Sequence, residues 1–192
     1  TVLTCWHGWE YFSGRAQVAI FGYALRPDGS DPVEFPASQV LSVAAFPATR
    51  PPPAADRGAC SGAWVTLRLE HPVTHLRDLA PPRLEAPRPG RRVYTLGHPL
   101  GLPLKLATGG EVLSAGDGAF RTSLDTFVGN SGSPVFDAGS HALVGLVVEG
   151  QKGQDDFEPA PARRCYVTNR IDGPAEGQLS VSAGCFAPAI LR

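Results

Sequence analysis

The chain has 192 residues, 43% hydrophobic and 18% charged, with 17 Lys+Arg against 18 Asp+Glu for a formal net charge of −1. That length suffices for one large domain or two small packed barrels with a real core. The near-neutral balance, without a Lys/Arg-rich block, argues against nucleic acid or an anionic membrane as the main partner; no apolar run approaches the ~20 residues of a helical membrane span, so a soluble domain is expected.

In chain order, short apolar runs bounded by Gly, Pro, Asp or Asn predict strands at 1–6, 16–25, 39–46, 63–70, 92–96, 105–113, 119–124, 133–137, 142–149 and 165–169. The stretch Trp64-Val65-Thr66-Leu67-Arg68-Leu69-Glu70 alternates apolar and polar residues, the period of a half-buried strand. The 22 Gly and 19 Pro suit many strands joined by tight turns. No window longer than about a dozen residues carries helical periodicity between caps, so the fold class is all-β. The chain opens directly in strand-like Thr1-Val2-Leu3-Thr4, and residues upstream are expected. Arg50–Ala55 reads as a surface loop. Pro81, Pro82, Pro87 and Pro89 mark a linker at 81–91 between an N-terminal unit, 1–80, and a C-terminal unit, 92–192.

Cys5, Cys60, Cys165 and Cys185 are widely spaced with no C-x-x-C, against a zinc ribbon. Their pairing is left open, and so few in a chain this long do not demand an oxidising compartment. His71 and His75 are four apart, but Pro72 breaks a shared helical face, so no metal site is expected there. His98 and His141 sit at turn edges. Residues 101–110 lack a phosphate-loop pattern, and 151–158 is a polar, acidic run read as a solvated loop.

The most informative segment is Asp125-Thr126-Phe127-Val128-Gly129-Asn130-Ser131-Gly132-Ser133-Pro134-Val135-Phe136. A serine between glycines, on a tight loop running into a strand, exposes its hydroxyl and aims backbone N–H groups into one hole. Acyl transfer needs that arrangement, because preorganised donors must meet the oxyanion. The hole is assigned to 129–131, with the N–H groups of Gly129 and Ser131 as its donors around Asn130. A bare G-x-S-G is more often a hairpin turn.

The full string from Gly129 to Phe136 resembles the nucleophile motif of trypsin-like, chymotrypsin-fold serine peptidases, most of all the bacterial branch with glutamyl endopeptidases and HtrA-like enzymes. The run Ala142-Leu143-Val144-Gly145-Leu146-Val147-Val148-Glu149-Gly150 is similar to the strand lining the family's substrate cleft. Gly97-His98-Pro99-Leu100-Gly101-Leu102-Pro103 resembles the hairpin that precedes the nucleophile loop, and Leu3-Thr4-Cys5-Trp6-His7 is similar to the strand that ends in the catalytic histidine. The resemblance implies two antiparallel six-stranded β-barrels, the first lacking its N-terminal strand, with His7 as base and Ser131 as nucleophile in the crevice between them. It implies an acyl-enzyme, no metal and no cofactor. An imidazole that titrates near neutrality can take the serine proton and return it to the leaving amine.

The third triad member is where this sequence departs from the pattern. The family's Asp-x-Ala-Leu-Leu-x-Leu strand aligns with Ala63-Trp64-Val65-Thr66-Leu67-Arg68-Leu69, so Ala63 stands where the acid is expected. Alanine cannot accept the histidine N–H, and neutralising that acid in a serine-protease triad lowers turnover by about 10⁴. Three readings stay open: an introduced inactivating substitution, which is preferred, a natural impairment, or another acid, with Asp56 nearest upstream. Asn130, where animal digestive proteases carry aspartate, argues against activation by an inserted N-terminus.

Asp125, six residues before Ser131, holds the position that in trypsin-like enzymes pairs with substrate Arg or Lys. Val148 and Gly150 would line the same pocket; Asp125 capping its own turn is the alternative. Val147 stands where glutamyl endopeptidases carry a histidine, which counts against glutamate specificity. The resulting expectation is a serine endopeptidase acting on peptide or protein substrates, impaired by Ala63. The rival is a non-catalytic trypsin-fold module that grips peptides or proteins. A resemblance to intracellular bacterial peptidase domains fused to sensor or repeat regions implies a cytoplasmic location, with secretion as the alternative, and regulatory domains or partners in a larger assembly.

Overall fold

A computed structural model describes residues 1–8, 17–45, 63–73, 81–149, 157–163, 165–169 and 177–190. The all-β expectation holds. The first half forms a curled four-stranded antiparallel sheet from β1 (Val2–Cys5), β2 (Val18–Ile20), β3 (Val40–Ala45) and β4 (Trp64–Leu69), in the order β1-β4-β3-β2. The second half is a closed barrel, in the order β12-β7-β6-β5-β8-β9. Its strands are β5 (Arg92–Gly97), β6 (Lys105–Gly116), β7 (Ala119–Thr122), β8 (Pro134–Asp137), β9 (Leu143–Glu149) and β12 (Gln178–Ser182). A separate hairpin joins β10 (Phe157–Ala160) to β11 (Cys165–Thr168). Barrel closure pairs both edges of each of the barrel's six strands, the standard solution to exposed strand edges.

Strand β9 explains how the two units meet. Its first five residues are all buried, because it has apolar neighbours on both faces. Inward, Val144 and Val147 join Val93, Val112, Phe120, Leu124 and Val135 inside the barrel. Outward, Leu143 and Leu146 pack with Val181 and Phe186, against which Leu3, Ala63 and Trp64 of the first unit also lie. A register shift between the Phe136–Leu143 and Val135–Gly145 pairs sets Val144 as an extra residue in β9, a bulge that resets which face each side chain serves. A single-faced strand would alternate; this one reads as a continuous apolar run because neither face is wet.

Three departures from the sequence reading lie in the last third of the chain. Strand β10, helix α1 (Ala183–Ile190) and strand β12 were not expected, and residues 157 and 158 of the run read as a solvated loop belong to β10. Gly184 and Pro188 mask the helix from propensity rules. Gln178 and Ser180 of β12 are fully buried: the Thr122 hydroxyl donates to Gln178 Oε1 (2.9 Å) and Gln178 Nε2 donates to Ser180 Oγ (3.2 Å). A strand that buries hydrogen-bonded polar groups carries no alternation to read. The predicted strand at 16–25 is shorter than expected, spanning only Val18–Ile20. The segment read as a linker runs alongside β9: Leu84 bridges Leu143, and Glu85 N–H donates to Leu143 O (3.1 Å). Cys185 is disulfide-bonded, Cys5 and Cys165 are free. No described helix is long and apolar enough to cross a membrane.

Asp137 ends β8, where Arg91 Nε and Nη2 donate to its two oxygens at 2.9 and 2.8 Å, and Gly139 and Ser140 N–H add bonds of 2.8 and 2.9 Å. The Arg91 hydrogen bonds hold the carboxyl well below the usual carboxylate range. Because the folded-state pKa is depressed, this stabilisation is present above the unfolded value, about pH 4, and drains away as pH falls through the folded one. Acid titration of the melting temperature should therefore show a fall from about pH 5 to about pH 2 that Asp137→Asn flattens. At Gly145, an added Cβ would sit 2.2 Å from Val181 O and 2.4 Å from the Phe120 ring. Gly145→Ala should lower stability in a urea melt by roughly 1–3 kcal/mol or more.

Candidate active site

The site forms where β1 crosses the loop between β7 and β8. Strand β1 pairs with β4 in the register Cys5–Trp64, and Trp6 N–H donates to Ala63 O at 3.0 Å. The chain leaves β1 through a helical turn at 6–8, which carries His7. Ser131 rides on two successive turns: Asn130 N–H donates to Phe127 O (3.0 Å) and Ser133 N–H donates to Asn130 O (2.9 Å). Both turns need left-handed backbone, supplied by Gly129 (φ 96°) and Gly132 (φ 89°). The loop is then pinned to β9 by Gly132 N–H to Val147 O (2.8 Å) and Val147 N–H to Ser133 O (2.9 Å).

These constraints bring His7 Nε2 to 2.8 Å from Ser131 Oγ. With Nε2 accepting the serine proton, the ring proton sits on Nδ1. Ser131 Oγ also lies 3.4 Å from the Val148 carbonyl oxygen, and Cys5 Sγ lies 3.7 Å from His7 Nε2. Partial burial, the larger effect, holds the His7 pKa below 6.5, and the negative charge of Glu149 pulls it partly back. The imidazole is therefore neutral at physiological pH, the state in which it can accept a proton. Burial pushes the Cys5 thiol up, so it stays protonated beside the pair.

Ala63 lies beside this pair, hydrogen-bonded through its carbonyl to the residue preceding His7, with its methyl in the apolar cluster around Leu143 and Leu146. It offers no side-chain acceptor. Asp56 and Gly150 lie outside the described residues.

The three residues of the assigned hole behave differently. The amide of Asn130 is spent on Phe127 O, so it is not a donor to the hole. The amides of Gly129 and Ser131 have no acceptor among the described residues. Leu100 N–H donates to Val128 O at 2.7 Å. In a trans peptide the carbonyl and the following N–H point opposite ways, so this bond turns Gly129 N–H away from Leu100. A Cβ on Gly129 would lie 2.7 Å from Leu100 N and 3.0 Å from His98 O, so only glycine fits. The Asn130 side chain is buried; a Cβ on Gly97 would lie 2.2 Å from its Oδ1, so β5 leaves room for it with a glycine.

Asp125 is half-buried and lines a cleft of about 530 Å³ together with Thr95, Lys105, Phe127, Asn130 and Phe157. Neither Ser131 nor Val148 is among the described residues that line it. The carboxylate at 125 therefore shares its cleft with the Lys105 ammonium. Sequence reasoning missed Leu100 and Glu149. Leu100 acts through its backbone and Glu149 through its field across a fold not yet known, so neither left a side-chain pattern to find.

The chain is similar to solved structures of peptidases. One is a Glu endopeptidase in complex with MPD, 13% identical, with a TM-score of 0.56 over 99% of this chain and 80% of that one. Another is Deg5, 17% identical, with a TM-score of 0.47 over 76% of this chain and 67% of that one. A third is the active form of the Rv3671c protease from M. tuberculosis, 19% identical, with a TM-score of 0.43 over 86% of this chain and 69% of that one. At 13% identity, the likeness to the Glu endopeptidase speaks for the fold alone. No curated protein sequence matches the chain. Kinship rests on the sequence itself, whose residues 1–146, from β1 through the nucleophile loop into β9, match the model of the trypsin-like peptidase domain: the chain belongs to that family.

Proposed function

We propose that this domain is a serine endopeptidase whose turnover is held down by the alanine at 63. The observation that carries the reading is the 2.8 Å contact between His7 Nε2 and Ser131 Oγ, side chains 124 positions apart in the sequence. In the forward step Ser131 Oγ bonds to the scissile carbonyl carbon while its proton passes to His7 Nε2. The carbonyl oxygen, now negative, receives the amides of Gly129 and Ser131. His7 then returns the proton to the leaving nitrogen as the C–N bond breaks, leaving an ester on Ser131 that water hydrolyses by the same route. Peptides or proteins are the substrates. Without a carboxylate at Ala63, nothing at that position fixes the Nδ1–H tautomer or supports the imidazolium, so the same geometry works slowly. Asp125 is the candidate selector for Arg or Lys beside the cut bond. In this reading the domain works in the cytoplasm, as one part of a regulated assembly.

A second reading, a peptide-gripping module without turnover, is favoured by one observation: partly buried Ala63 packs against an apolar cluster. The two readings part on Ala63→Asp. Fluorophosphonate labelling of Ser131 and hydrolysis of peptide esters should rise by at least about 10²-fold in that variant, towards the ~10⁴ such an acid supplies. Ser131→Ala should abolish labelling in either background. No gain from the aspartate would leave the binding module standing.

The pH profile gives an independent check. Because the His7 pKa is lowered by burial, kcat/KM should persist below neutrality and fall only as pH drops through a value under 6.5. Ala63→Asp, placing negative charge beside the ring, should move that acid limb to higher pH. For the pocket, Asp125→Ser should reduce hydrolysis of Arg esters relative to Phe esters; an unchanged ratio would remove Asp125 from specificity.

A further inference from the structure

The oxyanion hole depends on a peptide plane that the nucleophile loop does not hold by itself. Gly129 N–H faces the hole only while Val128 C=O faces the opposite way, and Leu100 N–H donates to this carbonyl at 2.7 Å. Leu100 is an unusual donor. Its backbone is left-handed, φ 52° and ψ 23°, a region that residues with a side chain seldom occupy. Its side chain is 54% exposed and so gains little from packing. A strained residue with no burial to hold it in place must be held by its surroundings.

Those surroundings reach back to the first half of the chain. The turn Pro99–Gly101 is closed by Gly101 N–H to His98 O (3.1 Å) and Leu102 N–H to Pro99 O (2.9 Å). His98 Nδ1 lies 3.1 Å from Leu102 O, which ties the histidine ring to the far end of the same turn. On that ring lies Tyr23, stacked at a centroid distance of 5.6 Å and an interplanar angle of 6°. Leu104 N–H donates to Tyr23 O at 2.9 Å, a second tie to the same residue. Tyr23 belongs to the irregular arm between β2 and β3, and Phe35 further along that arm meets it edge-on at 5.6 Å. A continuous line of contact therefore runs from the arm through Tyr23 and His98 to Leu100 and the Val128 carbonyl.

We propose that Tyr23 is a positioning residue for the oxyanion hole: its ring on His98 and its carbonyl on Leu104 hold the Pro99–Gly101 turn in the shape from which Leu100 orients the Val128–Gly129 peptide. The inference rests on the peptidase reading given above. Tyr23 is not among the described residues that line the cleft beside Asp125, so its loss is expected to act on the oxyanion and not on ground-state binding.

The test compares Tyr23→Ala with Tyr23→Phe, which keeps the stack, and Leu100→Pro, which removes the donor N–H and, with φ fixed at about −65°, also the left-handed backbone of the turn. Fluorophosphonate labelling of Ser131 and steady-state ester hydrolysis should both fall in Tyr23→Ala and Leu100→Pro. The expected loss is about 10²-fold in kcat, the scale of one oxyanion donor, with KM changed less than about twofold. Tyr23→Phe should retain wild-type kcat. Wild-type kcat in Tyr23→Ala, or a loss confined to KM and melting temperature, overturns the proposal. Should Tyr23→Ala fail to fold, Tyr23→Leu takes its place, with the same outcomes. If the wild-type chain itself neither labels nor turns over, the peptidase reading fails, and the inference is judged separately from a crystal structure of the variant. There, a turned Val128–Gly129 peptide supports it, and an unchanged Leu100 N–H to Val128 O bond sinks it.

Discussion

The site depends on how closely two backbones approach at Gly132. A Cβ at that position would stand 2.5 Å from Thr4 Oγ1 and 3.1 Å from Cys5 N, so β1 can lie against the nucleophile loop only because the residue after Ser131 has no side chain. Three residues beyond Thr4, the chain delivers His7 to the serine. Had the contact been spaced by one methyl group, the imidazole would stand off from the hydroxyl and proton transfer would lose its geometry. The glycine serves twice, since its φ of 89° also closes the turn that presents Ser131.

That approach is sustained from behind by β9. Because it buries both faces, the same strand fills the barrel and supplies the floor on which Leu3, Ala63 and Trp64 rest. It also lends three backbone groups to the site: Val147 N–H and C=O hold the nucleophile loop, and the Val148 carbonyl borders Ser131. Rigid hydrophobic packing thus fixes the position of polar chemistry, which is how a scaffold holds reacting groups within fractions of an ångström. Strain is gathered in the same place. Leu100 in the left-handed region costs about 1–2 kcal/mol, tolerated because the turns and stacked rings around it overdetermine its conformation.

The electrostatics of the site follow from what is missing as much as from what is present. His7 loses some solvation against the cleft wall, which keeps it neutral, and Glu149 contributes negative charge from the end of β9. In a site with a carboxylate at Ala63 the balance would tip towards the imidazolium. Here an apolar methyl occupies that place, and the cluster it joins gains packing where the family usually has a hydrogen-bonded charge.

Strand content, the Ser131 loop and the identity of its histidine partner were determined by the sequence alone. The first two depend on local chemistry, apolar runs between turn residues and a serine flanked by glycines that must adopt positive φ; the histidine was legible through the resemblance of 3–7 to the family's strand. The gap at Ala63 was legible only through the resemblance, because the family's Asp-x-Ala-Leu-Leu-x-Leu strand aligns its acid with residue 63. What only the tertiary structure decided was everything carried by backbone groups or by distant neighbours. The sequence placed 129–131 at the hole, but only the structure showed the amide of Asn130 spent on Phe127 O. Gln178 and Ser180 hid a strand because buried polar pairs erase alternation, and Gly184 and Pro188 hid a helix that tertiary packing supports. Leu100 and Tyr23 gave no signal at all, because a peptide orientation set through a turn and a ring stack depends on three-dimensional neighbours, not on residue type.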